Sequence, residues 1–220
     1  MTVVLEQPND ELTSLLGDRA DMQRGIPDFV AGKVWGLSGA PGAGLTRLAM
    51  TLFASQVPTG QIAVLETRGW FCPLVAWESG VEAERLVIVR APDTVSWARV
   101  AATLVEGIPA LYAEVPDRIN DAALRKLGAL ARRSGTRVLL RSFGEAIPTG
   151  VAQLQMTTRD LSWEGTDVGH GKLMRRRFMV EMTGKAVGGS LRRIEMEDDG
   201  ANTVRVVPGL AATSVGRIAG

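Results

Sequence analysis

The fold class of this chain is decided by the stretch KVWGLSGAPGAGLT, residues 33–46. Its first part, 33–37, is a short apolar run of the kind that forms a buried strand, and the part after it is rich in glycine. A helical pattern follows over 46–56, where large apolar side chains recur on one face. Strand, glycine-rich turn and helix in this order predict the first unit of an α/β domain.

The same alternation continues towards the C-terminus. Short apolar runs that predict strands lie at 62–65, 86–89, 110–113 and 137–140. Between them, helical patterns occupy 71–79, 94–105 and 121–133, with Asp93 and Asp121 as predicted N-caps and Gly135 as a C-terminal stop. Strands separated by helices of this length predict a mainly parallel β-sheet flanked by helices.

After Pro148 the pattern changes to strands joined by turns, predicted at 153–163, 172–182, 190–197 and 203–207. We expect these to be antiparallel strands added at the C-terminal side of the sheet. The core domain is thus predicted over 25–208, between an N-terminal arm at 1–24 and a flexible tail at 209–220. Leucines at helical spacing make the arm amphipathic, so that it packs either on its own domain or on a partner.

The composition excludes several classes of protein. The 220 residues carry a net charge of only +1, so nothing in the balance demands nucleic acid. A single cysteine and a single histidine, His170, which we place in an exposed loop, exclude disulfide frameworks and multi-histidine metal sites within one chain. No basic leader and no apolar run of membrane-spanning length are visible, so we expect no membrane association and a cytoplasmic location, with nucleoid association possible.

The glycine-rich turn matches the phosphate-binding pattern G-x-x-x-x-G-K-[ST] at every fixed position but one. Gly39, Gly42, Gly44 and Thr46 provide the glycines and the hydroxyl, while Leu45 stands in the lysine position. In a working loop the lysine reaches the β- and γ-phosphates and the hydroxyl holds magnesium. Arg47 should not substitute, because one helical residue turns a side chain by about 100°. A glycine-rich turn formed by chance is the alternative.

Two glutamates follow predicted parallel strands. Glu66 and Glu114 should therefore lie in the crevice at the carboxyl edge of the sheet, where ligands bind. They could orient a water molecule and magnesium if a nucleotide bound, but without the lysine we favour vestigial or structural roles. The chain is therefore expected not to be an enzyme and to need no cofactor, with weak binding of ATP and Mg²⁺ left open.

The densest basic run is Arg175, Arg176 and Arg177. On a strand the outer two share one face and Arg176 takes the other, which suits a solvated edge strand, with contact to the DNA backbone or to a partner as the alternative. Trp163 lies in a turn-like stretch and is a candidate anchor for a partner if exposed. We expect most of the other aromatic residues after the first strand to lie in the core or to cover the sheet, namely Trp70, Phe71, Trp77 and Trp97.

The order of these elements over 25–183 resembles the RecA core. The strand ending at Glu66 resembles the RecA strand that carries the catalytic glutamate, Glu114 stands in the position of the Walker B aspartate, and Arg141-Ser142 follows where RecA has a polar sensor residue. Besides Leu45, the chain departs from RecA in lacking glutamine or asparagine at the sensor. It also departs in the near deletion of both DNA-binding loops, at 115–120 and 143–150.

A shortened RecA relative without these features resembles the ImuA-type accessory proteins of bacterial inducible mutagenesis. The resemblance implies a non-catalytic scaffold in the SOS response to DNA damage. Its implied partners are a polymerase-like protein of the ImuB type and the associated error-prone polymerase of translesion synthesis, with weak DNA binding at most. The alternatives are a nucleotide-dependent, DNA-binding RecA-like ATPase and an inhibitor of cell division of the SulA type.

Overall fold

The computed structural model describes residues 25–165, 174–199 and 204–207. The predictions for the arm at 1–24, for His170 and for the tail at 209–220 lie outside the described residues. The helices are α1 (Leu45–Gln56), α2 (Pro73–Glu78), α3 (Thr94–Gly107) and α4 (Asp121–Ser134). The strands are β1 (Val34–Ser38), β2 (Ile62–Glu66), β3 (Leu86–Arg90), β4 (Ala110–Glu114), β5 (Arg137–Ser142), β6 (Leu154–Glu164), β7 (Arg175–Thr183), β8 (Arg192–Asp198) and β9 (Val204–Val206).

The described strands form one mixed sheet in the order β3-β2-β4-β5-β1-β6-β7-β8-β9. Pairing is parallel from β3 through β6 and antiparallel from β6 through β9. The predicted α/β class, with a parallel sheet between helices and antiparallel strands at the C-terminal side, is confirmed. Among the helices of the described part, none has the length and apolar character needed to cross a bilayer.

One strand direction was predicted wrongly. We expected antiparallel pairing from 153 onwards, but β6 runs parallel to β1, with Leu154 opposite Trp35. The chain returns from the end of β5 to the start of β6 through 143–153, and it buries Ile147 and Val151 against the sheet on the way. Gly36 of β1 permits this close passage, because a Cβ there would stand 2.9 Å from a side-chain carbon of Ile147.

Two helices cover each face of the sheet. One apolar core lies under α1 and α2 and extends to the antiparallel strands, where Phe178, Val180 and Met182 of β7 are buried. The second core lies under α3 and α4 and includes the buried Trp97, as predicted. Alternating strand residues supply the two cores, as the pleat requires. Residues at the carboxyl ends of the parallel strands remain available to form a site.

The helix boundaries follow from capping. Asp93 caps α3 as predicted, accepting bonds from the amides of Val95 and Ser96. The predicted cap of α4 was wrong by one residue: Asn120 accepts from the amide of Ala123 at 2.8 Å, and Asp121 is the first helical residue. Gly135 ends α4 in the left-handed conformation, as expected of a C-terminal glycine.

Candidate functional site

The glycine-rich loop joins β1 to α1 at the carboxyl edge of the sheet, which is the strand–loop–helix setting that the motif requires. Gly42 and Gly44 have φ angles of 81° and 77°, a left-handed region that glycine adopts without strain. Gly44 occupies the N-cap position of α1, and among the described residues no side chain caps the helix. The first amides of α1 are therefore free of a capping side chain where the loop opens.

The residue in the lysine position belongs to the core. Leu45 is 1% exposed and packs in the cluster under α1. The next residue, Thr46, has its hydroxyl 3.4 Å from the hydroxyl of Tyr112 on β4. Burial raises the pKa of Tyr112 to about 12, so the phenol stays neutral. Neither position presents a cation to the loop.

A cation reaches the loop from another strand. Arg141 of β5 donates from Nη2 to the carbonyls of Gly39 at 2.7 Å and Ala40 at 3.2 Å, and from Nη1 to that of Ser142. The residue is only 2% exposed, its Nε has no hydrogen-bond partner in the described structure, and burial lowers the pKa of Arg141. Arg141 thus holds the beginning of the loop through main-chain oxygens.

A second guanidinium holds the other end of the loop. Arg176 of β7 donates to the carbonyl of Gly42 at 3.1 Å, and its central carbon lies 3.1 Å from where a Cβ on Gly44 would stand. Its Nε donates to Asp198 at 2.9 Å. Arg47 also lines this region, contrary to our expectation that helix rotation removes it, but Glu78 and Asp198 hold its guanidinium.

Loop and arginines enclose an open cavity of about 410 Å³. The residues that line it include Arg47, Arg141 and Arg176 and the aromatic residues Trp70, Phe71 and Phe143. A cavity of this size can hold a small ligand. The site is therefore a cleft rich in arginines. Two of them, Arg141 and Arg176, donate hydrogen bonds to main-chain carbonyls of the glycine loop.

The two strand-end glutamates are buried and bonded to the backbone. Glu114 accepts from the amide of Thr67 at 2.9 Å and from its hydroxyl at 3.2 Å, while Glu66 accepts from the amide of Phe71 at 3.1 Å. Both are less than a tenth exposed. Their carboxylates therefore stabilise the turn that follows β2, and of the two only Glu114 lines the cavity.

A protein-family model described as the MT3502 N-terminal domain matches residues 27–148. The chain belongs to the MT3502 N-terminal domain family. The matched part contains the glycine loop, both strand-end glutamates and Arg141, and it ends before β6, so Arg176 lies beyond the MT3502 domain. No curated protein matches the chain.

The arginine run after the MT3502 domain splits between two faces, as its spacing predicted. Arg175 and Arg177 face away from the cavity and pair with Glu164 and Glu197. The hydrogen bond to Glu197, followed by the charge of Glu164, raises the pKa of Arg177. This face is a mixed-charge surface, whereas the three arginines do not form a continuous basic stripe.

Trp163 is 43% exposed, which fulfils the condition set for a partner anchor. It lies opposite Arg176 across the β6–β7 pair, and the guanidinium of Arg176 is 5.5 Å from its ring centre. Arg176 is therefore the residue of the arginine run that reaches the glycine loop, and Trp163 lies beside it.

The predicted core position was wrong for two tryptophans of the MT3502 domain. Trp70 is 64% exposed and Trp77 is 48% exposed. Val75 and Ala76 of the short helix α2 pack on the core, together with Phe71 from the turn before it, so Trp77 on the other side of the helix faces solvent. Helical spacing contained this signal for Trp77, because 74 and 77 share one face of α2 and 75 lies on another, whereas Trp70 precedes the helix.

Proposed function

We propose that this chain is a non-catalytic RecA-like accessory protein of DNA-damage-induced translesion mutagenesis. In this role it binds a polymerase-like protein of the ImuB type and, through it, an error-prone polymerase in the cytoplasm. The proposal is carried by the interior of the glycine loop. Arg141 is bonded there to the carbonyls of Gly39 and Ala40, while buried Leu45 fills the lysine position. A loop held from within keeps its shape without a nucleotide.

The RecA-like part of the proposal is supported by the placement of the motif residues. The glycine loop follows a central parallel strand, and Glu66 and Glu114 end two neighbouring strands, β2 and β4. Only residues 115–120 separate β4 from α4, which leaves no room for a long DNA-binding loop there. The role in mutagenesis rests on the resemblance to ImuA-type proteins.

Catalysis is disfavoured because buried Leu45 stands in the lysine position and because Glu114, the carboxylate that lines the cavity, is bonded to the amide and hydroxyl of Thr67. A phosphoryl-transfer enzyme needs a cation at the transferred phosphate, and a buried leucine provides none. Phosphate release from ATP, measured with Mg²⁺ and single-stranded DNA, should stay at background. A turnover of order 1 per second, typical of a working enzyme, would overturn the non-catalytic assignment.

Co-purification tests the accessory role. A tagged chain co-expressed with an ImuB-type protein should retain that protein through affinity and size-exclusion steps. Thr46→Ala should leave the complex intact, because within the described part of the chain the Thr46 hydroxyl makes a single long contact, with Tyr112. Failure of the folded wild-type chain to retain the ImuB-type protein contradicts the proposal, and loss of the complex with Thr46→Ala places the interaction at the glycine loop.

Nucleotide binding without hydrolysis is a second candidate, favoured by the guanidinium groups of Arg47, Arg141 and Arg176 around the cavity. Calorimetric titration with ATP, in EDTA and in Mg²⁺, tests it. Binding in EDTA that weakens in Arg176→Gln supports an arginine-held phosphate site. The absence of heat in both buffers, from a chain that unfolds cooperatively, rejects it.

A further inference from the structure

An exposed apolar surface extends from the cavity wall at Trp70 to the outer side of α2. It consists of Trp70, Leu74 and Trp77, which are 64%, 51% and 48% exposed, and we call it the tryptophan surface. Leu74 and Trp77, three residues apart, share one face of α2, and Trp70 lies in the turn that leads into this helix. Large apolar side chains grouped on a surface mark binding sites more often than isolated ones do.

The tryptophan surface is built on a fixed support. The turn before α2 is held by the bond from the amide of Phe71 to Glu66, and Ala76 on the inner side of the helix is fully buried. Trp70 lies 6.4 Å from Phe143 in an edge contact and 5.4 Å from the guanidinium of Arg68. Rigid aromatic groups bind with little loss of conformational entropy.

Two arginines, Arg68 and Arg90, lie beside Trp70 and Gly69 at the border of the tryptophan surface. The guanidinium carbon of Arg90 lies 2.9 Å from where a Cβ on Gly69 would stand, and Arg90 makes no ion pair in the described part of the chain. Arg68 adds a second cation, and its ion pair is with Asp117, whose side chain is 79% exposed. A complementary ligand therefore carries negative charge next to apolar groups.

We propose that the tryptophan surface binds an acidic, apolar segment of a partner protein. The inference rests on the proposed function in that it names the surface through which a protein partner is held. Arg68 and Arg90 pair with acidic side chains of the segment, while its apolar side chains cover Trp70, Leu74 and Trp77. Tryptophan and arginine are the residue types most enriched among those that dominate binding energy.

Two other occupants fit less well. A second copy docked face to face would bring the Arg68–Arg90 border against its own symmetry mate, which opposes like charges. Single-stranded nucleic acid binds on stacked aromatic rings along a continuous basic groove. Here Leu74 interrupts the aromatic groups, and Glu78 and Asp117 lie among the arginines as ion-pair partners.

The test uses a phage library of random 16-residue peptides selected against the full chain. Selected peptides, resynthesised with a fluorophore, should be acidic and contain large apolar residues. Their dissociation constants, measured by anisotropy, should rise at least about tenfold in Trp77→Ala and in Arg90→Glu. Leu161→Ala removes a comparably exposed apolar side chain from β6 and should change them less than about twofold.

A second readout comes from the single cysteine of the chain. Cys72 is exposed and lies between Trp70 and Leu74. Bound peptide should slow the reaction of Cys72 with a thiol reagent in the wild-type chain and in Leu161→Ala. Circular dichroism and thermal unfolding first establish that each variant is folded. If Trp77→Ala is not folded, Trp77→Gln replaces it in both measurements.

Several results would overturn the proposal. The first is a selection that yields no binding peptides, and the second is a selection that yields basic peptides. The third is an affinity that neither Trp77→Ala nor Arg90→Glu changes. Binding of (dT)20 that is lost in Trp70→Ala would indicate nucleic acid, and a dimer in sedimentation that Trp77→Ala dissociates would indicate a second copy. Peptide binding without retention of an ImuB-type protein defeats only the proposed function. An ImuB-type complex unaffected by Trp77→Ala defeats only the tryptophan surface.

Discussion

Replacing Arg141 with methionine should loosen the glycine loop and destabilise the domain. The side chain donates to the carbonyls of Gly39 and Ala40 at 2.7 and 3.2 Å, and hydrogen bonds from a charged donor contribute roughly 1.5–3 kcal/mol each. Removing the charge also relieves a cost, because the guanidinium is buried without a carboxylate partner among the described residues. We expect a net loss of about 2–4 kcal/mol in the free energy of unfolding.

Urea titration of the wild-type chain and Arg141→Met measures this difference, with thermal unfolding as a check. For a domain of this size each kcal/mol shifts Tm by roughly 2–4 °C, so a decrease of about 5–15 °C is expected. Arg159→Met is the matched control, since the Arg159 side chain is 62% exposed, and its effect should stay within about 0.5 kcal/mol. Equal stabilities for wild type and Arg141→Met would refute the role of Arg141 as the support of the loop.

Three further predictions concern stability. Because the pKa of Tyr112 is raised to about 12 from 10.0, its contribution to stability is complete below pH 10 and declines between pH 10 and 12, where only the unfolded phenol ionises. Urea titrations should show that Tyr112→Phe removes about 2–3 kcal/mol of this decline, and identical pH profiles would contradict it. Leu45→Lys should cost about 2–4 kcal/mol by calorimetry, against less than about 1.5 for Leu45→Met, and an unchanged Tm would contradict the buried position. Gly184→Ala should cost at least about 2 kcal/mol in chemical denaturation, because φ is 123° and the new Cβ would stand 2.4 Å from the carbonyl of Gln153. Gly107→Ala, where a Cβ meets nothing within 4 Å, should be neutral or stabilising by up to about 1 kcal/mol, and equal effects of the two substitutions would contradict this account.

The fold class could be predicted from sequence because its signals are local. Apolar runs, glycine stops and the cap at Asp93 define each βα unit within a few residues. The direction of β6 could not, since it depends on how 143–153 crosses the sheet over Gly36. The exposure of Trp70 could not be predicted either, because Trp70 precedes α2 and its position depends on the turn that follows β2.

The candidate site could be predicted only in part. The glycines and Leu45 could be predicted because they belong to one contiguous motif. The two glutamates could be predicted because each directly follows an apolar run that forms a strand. Arg141 and Arg176 reach the loop from 102 and 134 residues away in sequence, and no local pattern links them to it. Strand order in the sheet brings them together, so their function became visible only in three dimensions.

The bonds that hold the glycine loop end on main-chain oxygens, which are the same in every residue type. Exchange of Ala40 or Pro41 for another residue with an allowed backbone therefore leaves the path of the loop unchanged. The side chains at these two positions can therefore vary, whereas Arg141, Arg176 and the glycines are constrained. Among homologous chains we expect Arg141 and Arg176 to be retained or lost together, whichever residues stand between the glycines.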